Sequence, residues 1–317
     1  MQHALPLADP AADHFATLPN GLQLCYRSYG QPGQPGQPTI VLIAGLGLQL
    51  VSWPMALIDG LVEAGLHVLI LDNRDMGRSS YLPQDPPPRW RLLLRSVPPG
   101  HYQIRDMADD VAQLLDVLGI AQAHVLGMSM GGMIAQNLAA QHPDKVLSLT
   151  SIFSTTGNLR VGQAAGSTVL RMLFSRPAQT LEAAQDKYVR IMRHIGNRHV
   201  PGIEDAWRHY MAQAWQRTTP EQAAMGYERQ VTAIVAAGDR TALLHRIEAP
   251  TLIIHGDHDL IVHPSGGAAT ARAIGGAQLH IIRGMRHQLD AQISPTLLAL
   301  IVPHLRSAQA GSAHSAA

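Results

Sequence analysis

The chain has few of the residues that would place it in several protein classes. One cysteine, Cys25, stands among 317 residues. A single thiol excludes an intrachain disulfide framework and fits a reducing compartment. Nothing around Cys25 in sequence would lower its pKa, so it reads as a small apolar strand residue and not as a nucleophile. Charged residues make up 15% and aromatic residues 4%, against 46% hydrophobic, and the net charge is +1. That balance gives no electrostatic footprint for nucleic acid or for an anionic membrane surface. It suits a large buried core and argues against disorder. No apolar run approaches the ~20 residues of a membrane span; the longest are about seven, the length of buried strands. Met1 to Asp13 lacks a basic start and an apolar core, so no signal peptide is expected and the expected location is cytoplasmic.

What the chain does have is an alternation of strand and helix patterns. Residues 15–29 hold two short strands around Pro19-Asn20-Gly21, a hairpin turn signal. Gln31 to Pro38 repeats Gln-Pro-Gly and reads as an extended surface loop. Thr39–Ala44, His67–Asp72, Ala123–Met128 and Val146–Phe153 read as buried strands, because they are continuous apolar runs of strand length. Residues 54–65, 104–118 and 130–141 read as helices, the second ending at Gly119 as its C′ stop and the third at His142-Pro143. Residues 83–100, rich in proline and arginine, form an irregular excursion. From about 157 to 248 the strands stop and the chain is helical. Leu181, Ala184, Tyr188, Ile191, Met192 and Ile195 share one helical face, and Trp207, Tyr210, Met211, Ala214 and Trp215 share another. Most of these are expected in packing, with one or two facing a ligand. Alternation resumes with a strand over 250–255, a helix over 264–274 and a strand over 278–283. A C-terminal helix is capped by Ser294-Pro295, and residues 307–317 are expected to fray.

The strand at 123–128 runs into Gly127-Met128-Ser129-Met130-Gly131-Gly132. Gly-x-Ser-x-Gly between a strand and a helix makes a sharp turn that lifts the serine oxygen above the sheet. Side chains at Gly127 or Gly131 would collide across that bend. An earlier strand ends in Gly45-Leu46-Gly47-Leu48. As a nucleotide-binding loop this lacks a third glycine, since position 50 is leucine. As an oxyanion loop it lets a backbone N–H approach a substrate. The Asn73–Ser79 turn reads mainly as a charged brace.

A serine hydroxyl needs a base, and the base needs an acid to fix its tautomer. Ser129, then Asp257 or Asp259, then His287 follow one another, each just after an expected strand. The carboxyl ends of parallel strands share one edge, which is where open sheets keep their sites. His255, His258 and His263 with the nearby aspartates do not read as a metal site, because strand, turn and acid already account for the segment. No metal and no cofactor are expected.

Gly45-Leu46-Gly47 with Trp53-Pro54, the turn Asp72 to Ser80, and Gly127 to Gly132 together resemble bacterial carboxylesterases of the α/β-hydrolase family, in particular the aclacinomycin methylesterase-like group. The resemblance spans nearly the whole chain. It implies an α/β fold with a mostly parallel sheet of about eight strands flanked by helices. Residues 1–156 and 249–317 would form the core, and 157–248 a helical cap inserted after the sixth strand. In this family the acid sits in Gly-x-x-Asp, which Gly256-Asp257-His258-Asp259 matches with Asp259, leaving Asp257 as a loop brace. Gly284-Met285-Arg286-His287 resembles the catalytic-histidine loop, with Arg286 where a small residue is usual. The oxyanion donors implied are the backbone N–H groups of Leu46 and Met130. Leu46, Leu48, Leu50, Trp53 and Met130 would give an apolar pocket. The implied activity is serine hydrolysis of small to medium apolar carboxylic esters through an acyl-enzyme. A lactonase, amidase, C–C hydrolase or cofactor-free perhydrolase would be alternatives on the same triad, and a non-catalytic receptor a further one. The partner expected is a small-molecule ester, with the chain a monomer or homodimer.

Overall fold

The computed structural model describes residues 13–30, 37–173 and 178–315. Most of the Gln-Pro-Gly loop, residues 31–36, and residues 1–12 lie outside the described residues. Eight strands form one sheet: β1 (His14–Thr17), β2 (Gln23–Tyr29), β3 (Thr39–Ile43), β4 (His67–Leu71), β5 (Ala123–Met128), β6 (Val146–Ile152), β7 (Thr251–Gly256) and β8 (Gln278–Ile282). Their order is β1-β2-β4-β3-β5-β6-β7-β8. β1 and β2 pair antiparallel across the Asn20-Gly21 turn, where Gly21 has φ 85°, and β2 lies antiparallel to β4. The other pairings are parallel.

Helices cover both faces: α1 (Met55–Glu63), α2 (Arg89–Leu93), α3 (Ile104–Val117), α4 (Met130–Gln141), α5 (Gly166–Leu173), α6 (Leu181–Ile195), α7 (Ile203–Trp215), α8 (Pro220–Ala237), α9 (Thr241–Leu244), α10 (Ser265–Ala273) and α11 (Ser294–Ser315). Every residue of β3, β4 and β5 is buried, which is why these strands are apolar throughout instead of alternating. Successive side chains still go to opposite faces. Val41 and Ile43 pack with α3 and α4, while Ile40 and Leu42 pack with α1 and α11.

From β3 the chain goes to β4 on one side and later returns to β5 on the other. A crevice opens above the carboxyl ends of strands where order reverses in this way. The register sets Ile43 opposite Gly127, so the glycine loop after β3 stands beside the turn after β5. β6 and β7 are neighbours in the sheet, and α5 to α9 lie between them in sequence. α6 and α7 share a small core of Val189, Met192, Ile195, Ile203 and Trp207. From Ala233 onward the segment packs into the main core, with Leu244 and Ile247.

Two expectations change. The 83–100 excursion contains the short helix α2. The C-terminal residues expected to fray continue as α11 to Ser315. Leu305 and Ala308 are buried there, and Gln309 reaches His124 in β5 at 3.1 Å, so the helix is tied to the core as far as Gln309. Residues 316–317 lie outside the described residues. Cys25 is buried in β2; burial first, then the Asp72 and Asp13 charges, push its thiol up to about 12.

Candidate active site

The turn after β5 is a strained one. Ser129 has φ 56° and ψ −120°, a conformation L-residues avoid. The surrounding glycines are the reason the backbone can close on itself. A Cβ on Gly127 would overlap the Gly131 carbonyl, one on Gly131 would overlap the Ile43 carbonyl, and one on Gly132 would lie 2.7 Å from Ser154 Cβ. β6 and the residue two beyond it hold the turn's backbone: Ser129 N–H donates to Ile152 O at 2.9 Å, and Ser154 Oγ donates to Ser129 O at 2.8 Å. α4 begins at once with Met130, aiming its N-terminal partial charge at the serine.

Ser129 Oγ lies 3.0 Å from His287 Nε2, and His287 Nδ1 lies 2.7 Å from Asp259 Oδ2. A carboxylate only accepts, so Nδ1 carries the ring proton and Nε2 is left to accept from the serine hydroxyl. Asp259 Oδ1 also accepts from Ile261 N at 2.8 Å and Val262 N at 2.9 Å. Burial pushes the Asp259 carboxyl up, but the His287 charge and hydrogen bonds from His255, His287 and Val262 outweigh it. The group stays well below the ordinary carboxylate range. Phe153 packs on the His287 ring with centroids 4.3 Å apart. Asp257 is exposed and accepts from Gly284 N at 2.6 Å, the bracing role expected of it. His255 Nε2 donates to Val262 O at 2.8 Å, and His263 Nδ1 pairs with Ser265 Oγ at 2.9 Å.

The glycine loop is equally close. A Cβ on Gly45 would stand 3.2 Å from Ser129 Cβ. Among the described residues, no hydrogen bond uses the backbone N–H of Leu46 or of Met130. Gly47, at φ 69°, donates its N–H to Gln230 Oε1 of α8 at 3.0 Å, and Gln230 Nε2 donates to Arg74 O at 2.9 Å. Gln49 Nε2 donates to Ala214 O of α7 at 3.0 Å, and Arg217 Nε donates to Gln49 Oε1 at 3.0 Å. Arg217 is buried with Asp72 at 2.5 Å and is also paired with Asp13. The Asp72–Ser79 turn is a brace, as expected: Asp72 Oδ1 accepts from Leu50 N at 2.7 Å, and Asn73 Nδ2 donates to Ala44 O at 3.0 Å.

The histidine loop also reaches the helical insertion. Arg286 Nη1 donates to His194 O at 3.0 Å, His287 N–H to Ile195 O at 3.2 Å, and Asn197 N–H to Gln288 Oε1 at 2.9 Å. Arg286 therefore spends its guanidinium on the last turn of α6. No signal in the sequence marks Gln230, Gln49 or Arg217, since their partners lie far away along the chain.

Ser129 and His287 open into a cavity of about 1350 Å³. Leu46, Leu48, Leu50 and Trp53 line it. Met130 does not: its side chain is buried in the α3–α4 core, and Met128 lines the cavity in its place, because the reversal at Ser129 turns the next side chain inward. The insertion contributes more than one or two residues, with Tyr188, Ile191, Met192, Ile195, Trp207 and Tyr210 all at the wall.

A family model for the alpha/beta hydrolase fold matches residues 38–289. The chain is similar to the rhodomycin D methylesterase DauP of Streptomyces sp. (strain C5), 29% identical over 290 residues, covering 85% of this chain and 91% of that protein. It is similar to the rhodomycin D methylesterase DnrP of Streptomyces peucetius, 28% identical over 289 residues, with the same coverage. Among solved structures it resembles the enol-lactonase from Burkholderia xenovorans LB400, with TM-score 0.68 and 26% identity, covering 92% of this chain and 100% of that one.

Proposed function

This chain belongs to the α/β-hydrolase fold family and is a carboxylic-ester hydrolase, and we propose that Ser129, His287 and Asp259 carry out the hydrolysis. The observation that carries the proposal is the continuous relay from Ser129 Oγ to His287 Nε2 at 3.0 Å and from His287 Nδ1 to Asp259 at 2.7 Å. His287 takes the serine proton as Oγ attacks the ester carbonyl. The oxyanion that forms is met by the N–H groups of Leu46 and Met130, the latter at the positive end of α4. His287 then gives its proton to the departing alcohol, leaving the acyl group on Ser129. Water, deprotonated by the same imidazole, attacks the acyl-enzyme and releases the acid. Asp259 remains ionised throughout and holds His287 in the tautomer that can accept.

In the same reading α5, α6, α7 and the first half of α8 act as a cap that roofs the cavity. The cavity of about 1350 Å³ exceeds the ~300–1,000 Å³ of ordinary small-molecule sites. With its aromatic and aliphatic walls it suits an ester with a large apolar body, beyond the small to medium esters that the sequence suggested. Lactone opening is the second reading, favoured by the likeness to an enol-lactonase; it uses the same steps with acyl and alcohol halves joined.

Ser129→Ala is expected to lower hydrolysis of a p-nitrophenyl ester by about 10⁴-fold or more, with an unchanged melting profile and loss of fluorophosphonate labelling. Activity retained in a clean preparation of this variant would remove the reading.

A further inference from the structure

The stretch between β4 and α3 carries three of the four most exposed large apolar side chains among the described residues: Leu93 at 73%, Leu94 at 70% and Trp90 at 56%, all on or directly after α2. Isolated surface leucines are ordinary, but adjacent ones beside a tryptophan form a patch. Pro86, Pro87 and Pro88 lead into α2 and Pro98-Pro99 lead out, so the arm is short and stiff.

The arm is also basic. Residues 86–99 hold three arginines and no acid, with Asp85 just before them. The Arg91 guanidinium lies over the Trp90 ring, 5.1 Å from its centroid. Arg89 pairs with Glu228 of α8 at 2.5 Å. Among the described residues, Arg91 and Arg95 make no ion pair with any carboxylate. Arg89 and Glu228 both line the cavity that Ser129 lines, so the arm adjoins its wall. Burial first, then the charges of Arg89 and Arg190, pull the nearby Lys187 ammonium below its ordinary range. A net charge of +1 over the whole chain hides this concentration.

We propose that the Trp90–Arg95 arm docks the protein on an anionic lipid surface. Trp90, Leu93 and Leu94 enter the boundary between headgroups and acyl chains, and Arg91 and Arg95 pair with anionic headgroups. An acidic protein would satisfy the arginines but would need a matching groove for three protruding apolar side chains; a bilayer accepts both. Docking there sets that wall of the cavity against the membrane, where a lipophilic ester concentrates. That last consequence rests on the ester-hydrolase reading, whereas docking itself does not.

The test is co-sedimentation of the full chain with phosphatidylglycerol–phosphatidylcholine vesicles and with pure phosphatidylcholine vesicles, at low and high salt. Binding is expected to the anionic vesicles, about tenfold weaker on the neutral ones, and reduced by salt. Leu93→Ser with Leu94→Ser, and separately Arg91→Glu with Arg95→Glu, are expected to weaken binding about tenfold while hydrolysis of a water-soluble p-nitrophenyl ester stays unchanged. That soluble assay separates failure of docking from failure of the catalytic reading. No binding of the unaltered protein to anionic vesicles overturns the proposal, as does binding that survives both double variants. Self-association abolished by the leucine pair, without vesicle binding, assigns the patch to a second copy of the chain and also overturns it.

Discussion

The Ser129 elbow and the two loops that serve it are held in different ways. The backbone of the elbow is held from within the core, by Ile152 at the end of β6 and by Ser154 just after it. The glycine loop is tied to the cap through Gly47 and Gln230, and the histidine loop through residues 286–288 and the end of α6. In the proposed reading the nucleophile is thus a property of the sheet, while the oxyanion loop and the base depend on how the helices above are seated. The core sets the strain at Ser129, and the cap sets the arrangement around it.

The comparison is broken most severely at the elbow. Gly131→Val would drive a side chain into the Ile43 carbonyl, and because backbone cannot yield as a side chain can, the turn cannot close. Complete loss of ester hydrolysis is expected, with loss of the cooperative melting transition in calorimetry. Next comes the cap's hold on the glycine loop. Gln230→Leu leaves the half-buried Gly47 N–H and the buried Arg74 O without their partner, at a cost of about 1–3 kcal/mol. Because the loop bears an oxyanion donor, kcat is expected to fall about 10–100-fold, with KM little changed. A boronic-acid transition-state analogue should lose affinity in parallel. If kcat held while only the melting temperature dropped, Gln230 would be a packing residue and nothing more.

A smaller effect is expected where one of several bonds is removed. Arg286→Ala takes away the contact to His194 O but leaves the His287 and Gln288 contacts in place. A fall in kcat of about three- to tenfold is expected, by loss of roughly one charge-assisted hydrogen bond. Arg286→Lys, which keeps a donor of similar reach, should recover most of it.

The mildest expectation sharpens the core side of the contrast. His124 is buried in β5, and burial, with a further contribution from His304, pushes its imidazole down to about 4 from 6.5. The unfolded chain takes up that proton near pH 6.5, whereas the folded chain resists it until about pH 4. Stability is therefore lost as pH falls through that window. Melting temperature measured from pH 7 to pH 4 should decline, and His124→Asn should flatten the decline. An unchanged slope in the variant would place the acid sensitivity elsewhere.

Much of this was legible from local pattern. Five buried parallel strands announced themselves as short apolar runs, and Gly127, Ser129 and Gly131 wrote out a turn that only those residues permit. Asp259 and His287 were singled out through their place after strands and through family likeness, and they come together beside Ser129. Gln230, Gln49 and Arg217 were invisible, because each acts on a residue far away in sequence and a polar helical side chain has no periodicity of its own. Met130 was misplaced for a related reason: adjacency to the nucleophile says nothing of where a side chain points after the backbone reverses. The exposed arm around Trp90 escaped notice because bulk charge averages over the chain.

The bonds from α6 to residues 286–288 have a thermodynamic consequence. In the proposed reading, opening the cap at that end and dispersing the catalytic base are one equilibrium, because the same hydrogen bonds are broken in both. By linkage, a ligand that binds the assembled site more tightly than the dispersed one must hold the cap down in the same proportion. The amides of Gly47, His287 and Asn197 lie on that boundary, so their exchange with solvent measures how far the site is assembled at any moment.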